Sequence, residues 1–119
     1  KFDSSRKAEL DGGVEVVFYS RSGNEEVSKL TARQAQIDEE SENMVVTGNV
    51  ILVSKDSIRL ETESLTWERE TDRIFGKGTV TLRRPDGVET GVGFEASSDL
   101  KRWTMHDVIT RLGIPDSLQ

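Results

Sequence analysis

Residue types able to do acid–base or nucleophilic chemistry are scarce in this chain, and the most suggestive are His106 and Asp107 in the closing segment DLKRWTMHDV. An imidazole beside a carboxylate is raw material for a general base, but neighbours on a strand point to opposite faces and do not converge on one substrate. The lone His has no Cys to work with, and neither HExxH nor GxSxG spacing occurs. No catalytic residue is therefore expected. The acidic runs DEESE and ERETD carry enough carboxylates for a calcium loop but lack its alternating oxygens and central Gly. They read as solvated turns, and neither a metal site nor a cofactor is expected. Lys101 and Arg102, with Arg83 and Arg84, are the cations an anionic group would meet, and their scatter reads as ordinary surface.

The elements that carry these residues are bounded first by composition. The 119 residues suit one domain with a modest core, 34% hydrophobic and 32% charged, with 10 Gly and 2 Pro, which is the make-up of a globular chain. A net charge of -6 with interspersed signs excludes nucleic acid as a partner, because phosphate neutralisation needs a clustered basic surface. No Cys means no disulfide framework and no thiolate metal site. No run of about 18 apolar residues spans a membrane. The chain starts at Lys1 rather than Met, which suggests a trimmed fragment whose upstream part held a signal peptide or an anchor.

From Val14 onward apolar residues recur with a period of two, and Val, Ile, Thr, Phe and Trp are abundant. Strands are expected at 14–20, 29–38, 43–54, 57–68, 73–84, 87–97 and 102–110, separated by the turns RSGNEE, DEESEN, SKDS, RETDR and RPDG. Connections this short join antiparallel neighbours. The segment from Ser98 admits two readings: a helix capped by Ser98 or Asp99 and stopped by Gly113 and Pro115, or a strand with a small irregularity carrying Trp103, Met105 and Val108. Residues 1–13 are expected as a flexible N-terminal segment, 14–110 as the domain and 111–119 as a C-terminal tail.

A repeat decides how the strands pack. Laying Leu30 to Val50 on Leu60 to Val80 pairs Leu30 with Leu60, Ala35 with Leu65, Ile37 with Trp67, Met44 with Ile74, Gly48 with Gly78 and Val50 with Val80. A third copy sets Phe94 against Leu65, Ala96 against Trp67, SSDLKR against the earlier turns and Trp103 against Ile74. One hairpin cannot bury its apolar face, so stacked copies must supply the core. The expected fold is all-β, built of stacked antiparallel hairpin repeats. Ile37, Met44, Val46, Val50, Leu52, Leu60, Leu65, Trp67, Ile74, Val80, Leu82, Phe94, Trp103 and Met105 are expected inward. Ile51, Val53 and Phe75 break that pattern, and Gly48 and Gly78 are expected at bulges or left-handed positions.

On LTARQAQIDEESENMVVTGNVILVS, LETESLTWERETDRIFGKGTVTLRRPDGVETGVGFEAS and DLKRWTMHDV, in this order and over most of the chain, the sequence resembles the OstA-like family of lipopolysaccharide export, most closely its LptC branch. That resemblance implies a twisted, open β-jellyroll with a hydrophobic groove, in the periplasm and tethered to the inner membrane by an N-terminal helix that this sequence does not contain. It implies a protein, not an enzyme, that passes lipopolysaccharide from the inner-membrane ABC transporter to a homologous, LptA-like periplasmic bridge protein. The lipid-contact candidates that follow are Val16, Phe18, Ile37, Met44, Val46, Val50, Leu52, Leu65, Trp67, Ile74, Val80, Leu82, Phe94, Trp103 and Met105. Each has an ordinary core residue as its other reading, since lipid lining and core use the same side chains. Edge strands recruit partners, so Trp103, Met105, Val108 and Ile109 would meet the bridge protein, and Val14, Val17 and Tyr19 the transporter, with head-to-tail self-association also allowed. The alternatives are a soluble bridge protein of the same superfamily and a structural β-repeat acting only through its edges.

Overall fold

In the computed structural model, which describes residues 7–20 and 22–113, alternation of apolar and polar residues produces nine strands and, among the described residues, no helix. The strands are β1 (Lys7–Leu10), β2 (Val14–Tyr19), β3 (Glu26–Ala32), β4 (Gln34–Asp38), β5 (Met44–Ser54), β6 (Arg59–Glu68), β7 (Arg73–Arg84), β8 (Gly87–Ser97) and β9 (Trp103–Gly113). All belong to one sheet in the order β1-β4-β5-β6-β7-β8-β9, with β2 on β3 and β3 on β5, and every pairing is antiparallel. The sheet does not close on itself, which is the open, jellyroll-like all-β architecture expected.

A line of irregularities crosses the sheet, passing between β1 and β2, between β3 and β4, and through each of β5 to β9. It begins at Gly12 and Gly13, both with positive φ, and passes through Arg33 between β3 and β4. It continues at the register shifts between Thr47 and Val50, Thr62 and Thr66, and Gly76 and Thr79, and ends where Ile109 is left over opposite Thr90 and Gly91. An extra residue on one strand bends it and increases its twist. Repeated across neighbours, the bend folds one sheet into two layers. The first layer holds β1, β4 and the segments of β5–β9 paired through Met44, Trp67, Ile74, Ala96 and Trp103. The second holds β2, β3 and the segments paired through Leu52, Leu60, Leu82 and Glu89.

The core lies between the layers, where Leu30, Val46, Val50, Leu52, Leu60, Leu65, Ile74, Val80 and Leu82 are almost fully buried. At the free ends, away from the bend, the layers touch: the Phe18 and Trp67 rings meet edge to face at 5.3 Å, and Ser28 Oγ donates to the Ser98 carbonyl at 2.6 Å. The repeat seen in sequence is thereby explained. Leu30 and Leu60 face inward from the second layer, Ala35 and Leu65 from the first, and Gly48 and Gly78 both sit on the bend.

Three expectations need correction. The strand expected at 29–38 is two, because the chain breaks at Arg33 to pass from the second layer to the first, with the Gly13 N–H donating to the Arg33 carbonyl at 3.0 Å. The segment expected to be flexible contains β1, paired with β4, a partnership that four residues cannot announce. The last segment is a strand, reaching Gly113 rather than Thr110, because β8 offers it a continuous edge. The expectation for the two glycines holds: Gly48 is left-handed, with φ +87, and Gly78 lies at a bulge without positive φ. The rest of the expected tail, 114–119, and residues 1–6 lie outside the described residues.

Candidate functional site: the interior between the layers

Of the residues expected to face inward, Phe18, Met44, Val46, Val50, Leu52, Leu65, Ile74, Val80, Leu82 and Phe94 are buried in the central core. Val16, Ile37, Trp67, Trp103 and Met105 pack against it while keeping part of their surface in solvent, joined by Val14 and Ile58, which were not among the inward candidates. The partly exposed residues trace the rim: Val14 and Val16 on the β2 edge, Ile37 on β4, Trp67 at a free end, Trp103 and Met105 on the β9 edge. A sealed centre with an apolar rim offers contact area to hydrocarbon without a preformed tunnel.

At the rim the two indole N–H groups are held by carboxylates. Trp67 Nε1 donates to Asp72 Oδ1 at 2.9 Å, and Ser98 Oγ to Asp72 Oδ2 at 2.9 Å, so one carboxylate holds an indole from β6 and the turn between β8 and β9. On the β9 side, Trp103 Nε1 reaches Glu89 Oε1 at 3.4 Å from the opposite layer, and the Arg84 guanidinium lies 5.4 Å from the Trp103 ring centre. Glu89 is 7% exposed, Arg84 Nη2 stands 4.0 Å from it, and Arg84 Nε is buried without a hydrogen-bond partner. Sequence reasoning set Arg84 among surface cations and passed over Glu89. Only the bend, which brings 84, 89 and 103 to one mouth, identifies them.

The expected partner edges are edges. β2 pairs with β3 alone and exposes Tyr19 (56%), with Val14 and Val17 half-buried; β9 pairs with β8 alone and exposes Val108 (43%) and Ile109 (62%). Trp103 and Met105 belong to that strand but turn inward, Met105 lying over Gly91. β1 is a further edge, on the first layer.

His106 and Asp107 both border a shallow depression on the outer face, over Gly93 and beside Phe75 and Lys77. The His106 side chain lies over Gly93, and Asp107 is near Gly91 through its carbonyl oxygen, so the two are not shown to converge on one substrate. Among the described residues no group of three His, Asp or Glu side chains is placed to hold a metal ion, and no helix is long and apolar enough to cross a membrane.

No curated protein matches this sequence. The family described as lipopolysaccharide-assembly, LptC-related, matches residues 4–111 of the 119. With nearly the whole bent sheet inside that span, the chain belongs to the LptC-related family, and its work lies in lipopolysaccharide transport.

Proposed function

We propose that this chain is a non-enzymatic carrier that works in the periplasm at the inner membrane, taking lipopolysaccharide from the inner-membrane ABC transporter and passing it to a homologous, LptA-like bridge protein. The observation that carries this reading is the apolar rim of Val16, Ile37, Trp67, Trp103 and Met105 around the interior of an open, two-layered sheet in a chain of this family. Acyl chains laid against that rim gain about 0.8 kcal/mol for each CH₂ removed from water, while the saccharide stays in solvent. The unpaired edge of β9 would receive the bridge protein by strand addition, and the β2 edge the transporter, extending the sheet from one protein to the next.

A second reading, an interaction module acting only through its edges, is favoured by the sealed centre, where Val46, Val50, Leu52 and Ile74 are 0% exposed. Photo-crosslinking to lipopolysaccharide in cells separates the two, with the probe at Ile37, Trp67, Phe94 or Met105 and at outward-facing Thr66 as control. The carrier reading expects crosslinks at the inner positions and none at Thr66. Absence at all of them in a folded, correctly located protein would leave edge pairing as the function.

A further inference from the structure

The turn between β8 and β9, residues 98–102, ends the third copy of the repeat and differs from the other two above all in what it buries. Ser41 and Thr71 hold the corresponding places in DEESEN and ERETDR and are exposed. The third turn, SSDLKR, has Leu100 there, and Leu100 is 0% exposed and joins the core cluster. An apolar side chain at the tip of a polar turn has been tucked between the free ends of the two layers. Its backbone is left-handed, with φ +61, a conformation a branched side chain adopts only under constraint.

Apart from the burial of Leu100 itself, the turn is held by hydrogen bonds of a kind water can replace. Ser28 Oγ donates to the Ser98 carbonyl at 2.6 Å, Ser98 Oγ donates to Asp72 at 2.9 Å, and the Leu100 N–H donates to the Ser97 carbonyl at 2.9 Å. Beside the turn a polar cavity of about 530 Å³ opens to solvent, with Tyr19, Glu25, Lys55, Asp99 and Lys101 in its wall. A molecule with an apolar tail and a charged, sugar-bearing head would find a buried apolar seat and a wet polar vestibule next to each other.

We propose that the 98–102 turn is a displaceable strap and that the seat of Leu100 is a binding site for one hydrocarbon chain of the cargo. The chain enters sideways between the free ends of the layers, its methylenes replacing the Leu100 side chain, which swings out as its left-handed strain is released. This rests on the carrier reading above and adds to it the place and direction of entry.

Amide hydrogen exchange of the whole chain, with and without saturating purified lipopolysaccharide, tests the strap without any substitution. The Leu100 amide should exchange roughly tenfold faster in the complex while those of Ile74 and Val80 do not. In parallel, Leu100→Gly empties the seat and suits the left-handed backbone, so lipopolysaccharide should bind roughly tenfold more tightly. A Leu100 that served the core alone would lower the melting temperature on truncation and leave affinity unchanged. Binding by the wild type with the Leu100 amide unchanged or slowed overturns the strap and leaves the carrier reading standing. No binding by the wild type overturns both. Should Leu100→Gly fail to fold, the exchange experiment decides alone.

Discussion

Two glycines on β7 show how much a single methyl group is felt at the bend. A Cβ added at Gly76 would stand 2.7 Å from Cε1 of Phe94 and 2.9 Å from the Ser64 carbonyl oxygen, while one at Gly78 would meet nothing within 4 Å. Neither position has positive φ, so space alone separates them. Phe94 is held in the core and the other neighbour is backbone, so relief requires the strand to shift. Gly76→Ala should cost about 1–3 kcal/mol, in the range of overpacked cores. Gly78→Ala should be neutral or stabilise by about 0.4–1 kcal/mol through the unfolded chain. Urea melts at constant m-value check both; equal losses at the two sites would show that the bend itself, not the Phe94 contact, requires glycine.

The turn joining β8 to β9 is the element whose stability is tied to pH. Burial pushes the Asp99 carboxyl up, but the Ser97 hydroxyl at 2.6 Å, the Lys101 N–H at 3.0 Å and the Lys101 charge together outweigh it, and the net shift is downward from 3.8. A carboxyl lowered in the folded state adds stability that is complete above its unfolded value and lost as pH falls through the folded one. Glu25, lowered first by its hydrogen bond from Lys55, acts in the same direction. The difference in melting temperature between wild type and Asp99→Asn should stay constant from about pH 7 to 5 and shrink below about pH 4. A difference that persists at the lowest pH would mean the Asn variant fails through packing rather than charge.

At the scale of the molecule, the consequence of the bend is cooperativity. β5–β9 each run through both layers, so neither layer can lose its strands while the other keeps them. Ile74→Ala in the first layer and Leu82→Ala in the second, both at fully buried positions, should each cost about 2–5 kcal/mol. Both should do so as one transition seen alike by tryptophan fluorescence, which reports Trp67 and Trp103 in the first layer, and by far-ultraviolet circular dichroism. Non-coincident curves would mean that the layers unfold separately. The same continuity bears on transport: an opening at the free ends flexes the bend without breaking the sheet, and the edges of β2 and β9 stay in place for partners.

Period-two alternation, polar turns and the repeat determined by themselves that the chain is all-β and antiparallel, because side-chain direction along a strand is local and the turns are too short for any crossover. They determined the inward set as well, from Ile37 through Phe94, since a residue's parity survives into any packing that buries one face. The repeat even marked the bend, through Gly48 and Gly78, without revealing that it was one. What only the tertiary structure decided is how far each inward residue is sealed. Leu65 and Trp67 share a face, yet Leu65 is buried and Trp67 lies at the rim, because depth depends on distance from the free ends. The same holds for Leu100, Glu89 and Arg84, whose neighbours come from other strands and the opposite layer. Folding one sheet across a line of bulges sets residues far apart in sequence face to face, and no local pattern encodes which of them will meet.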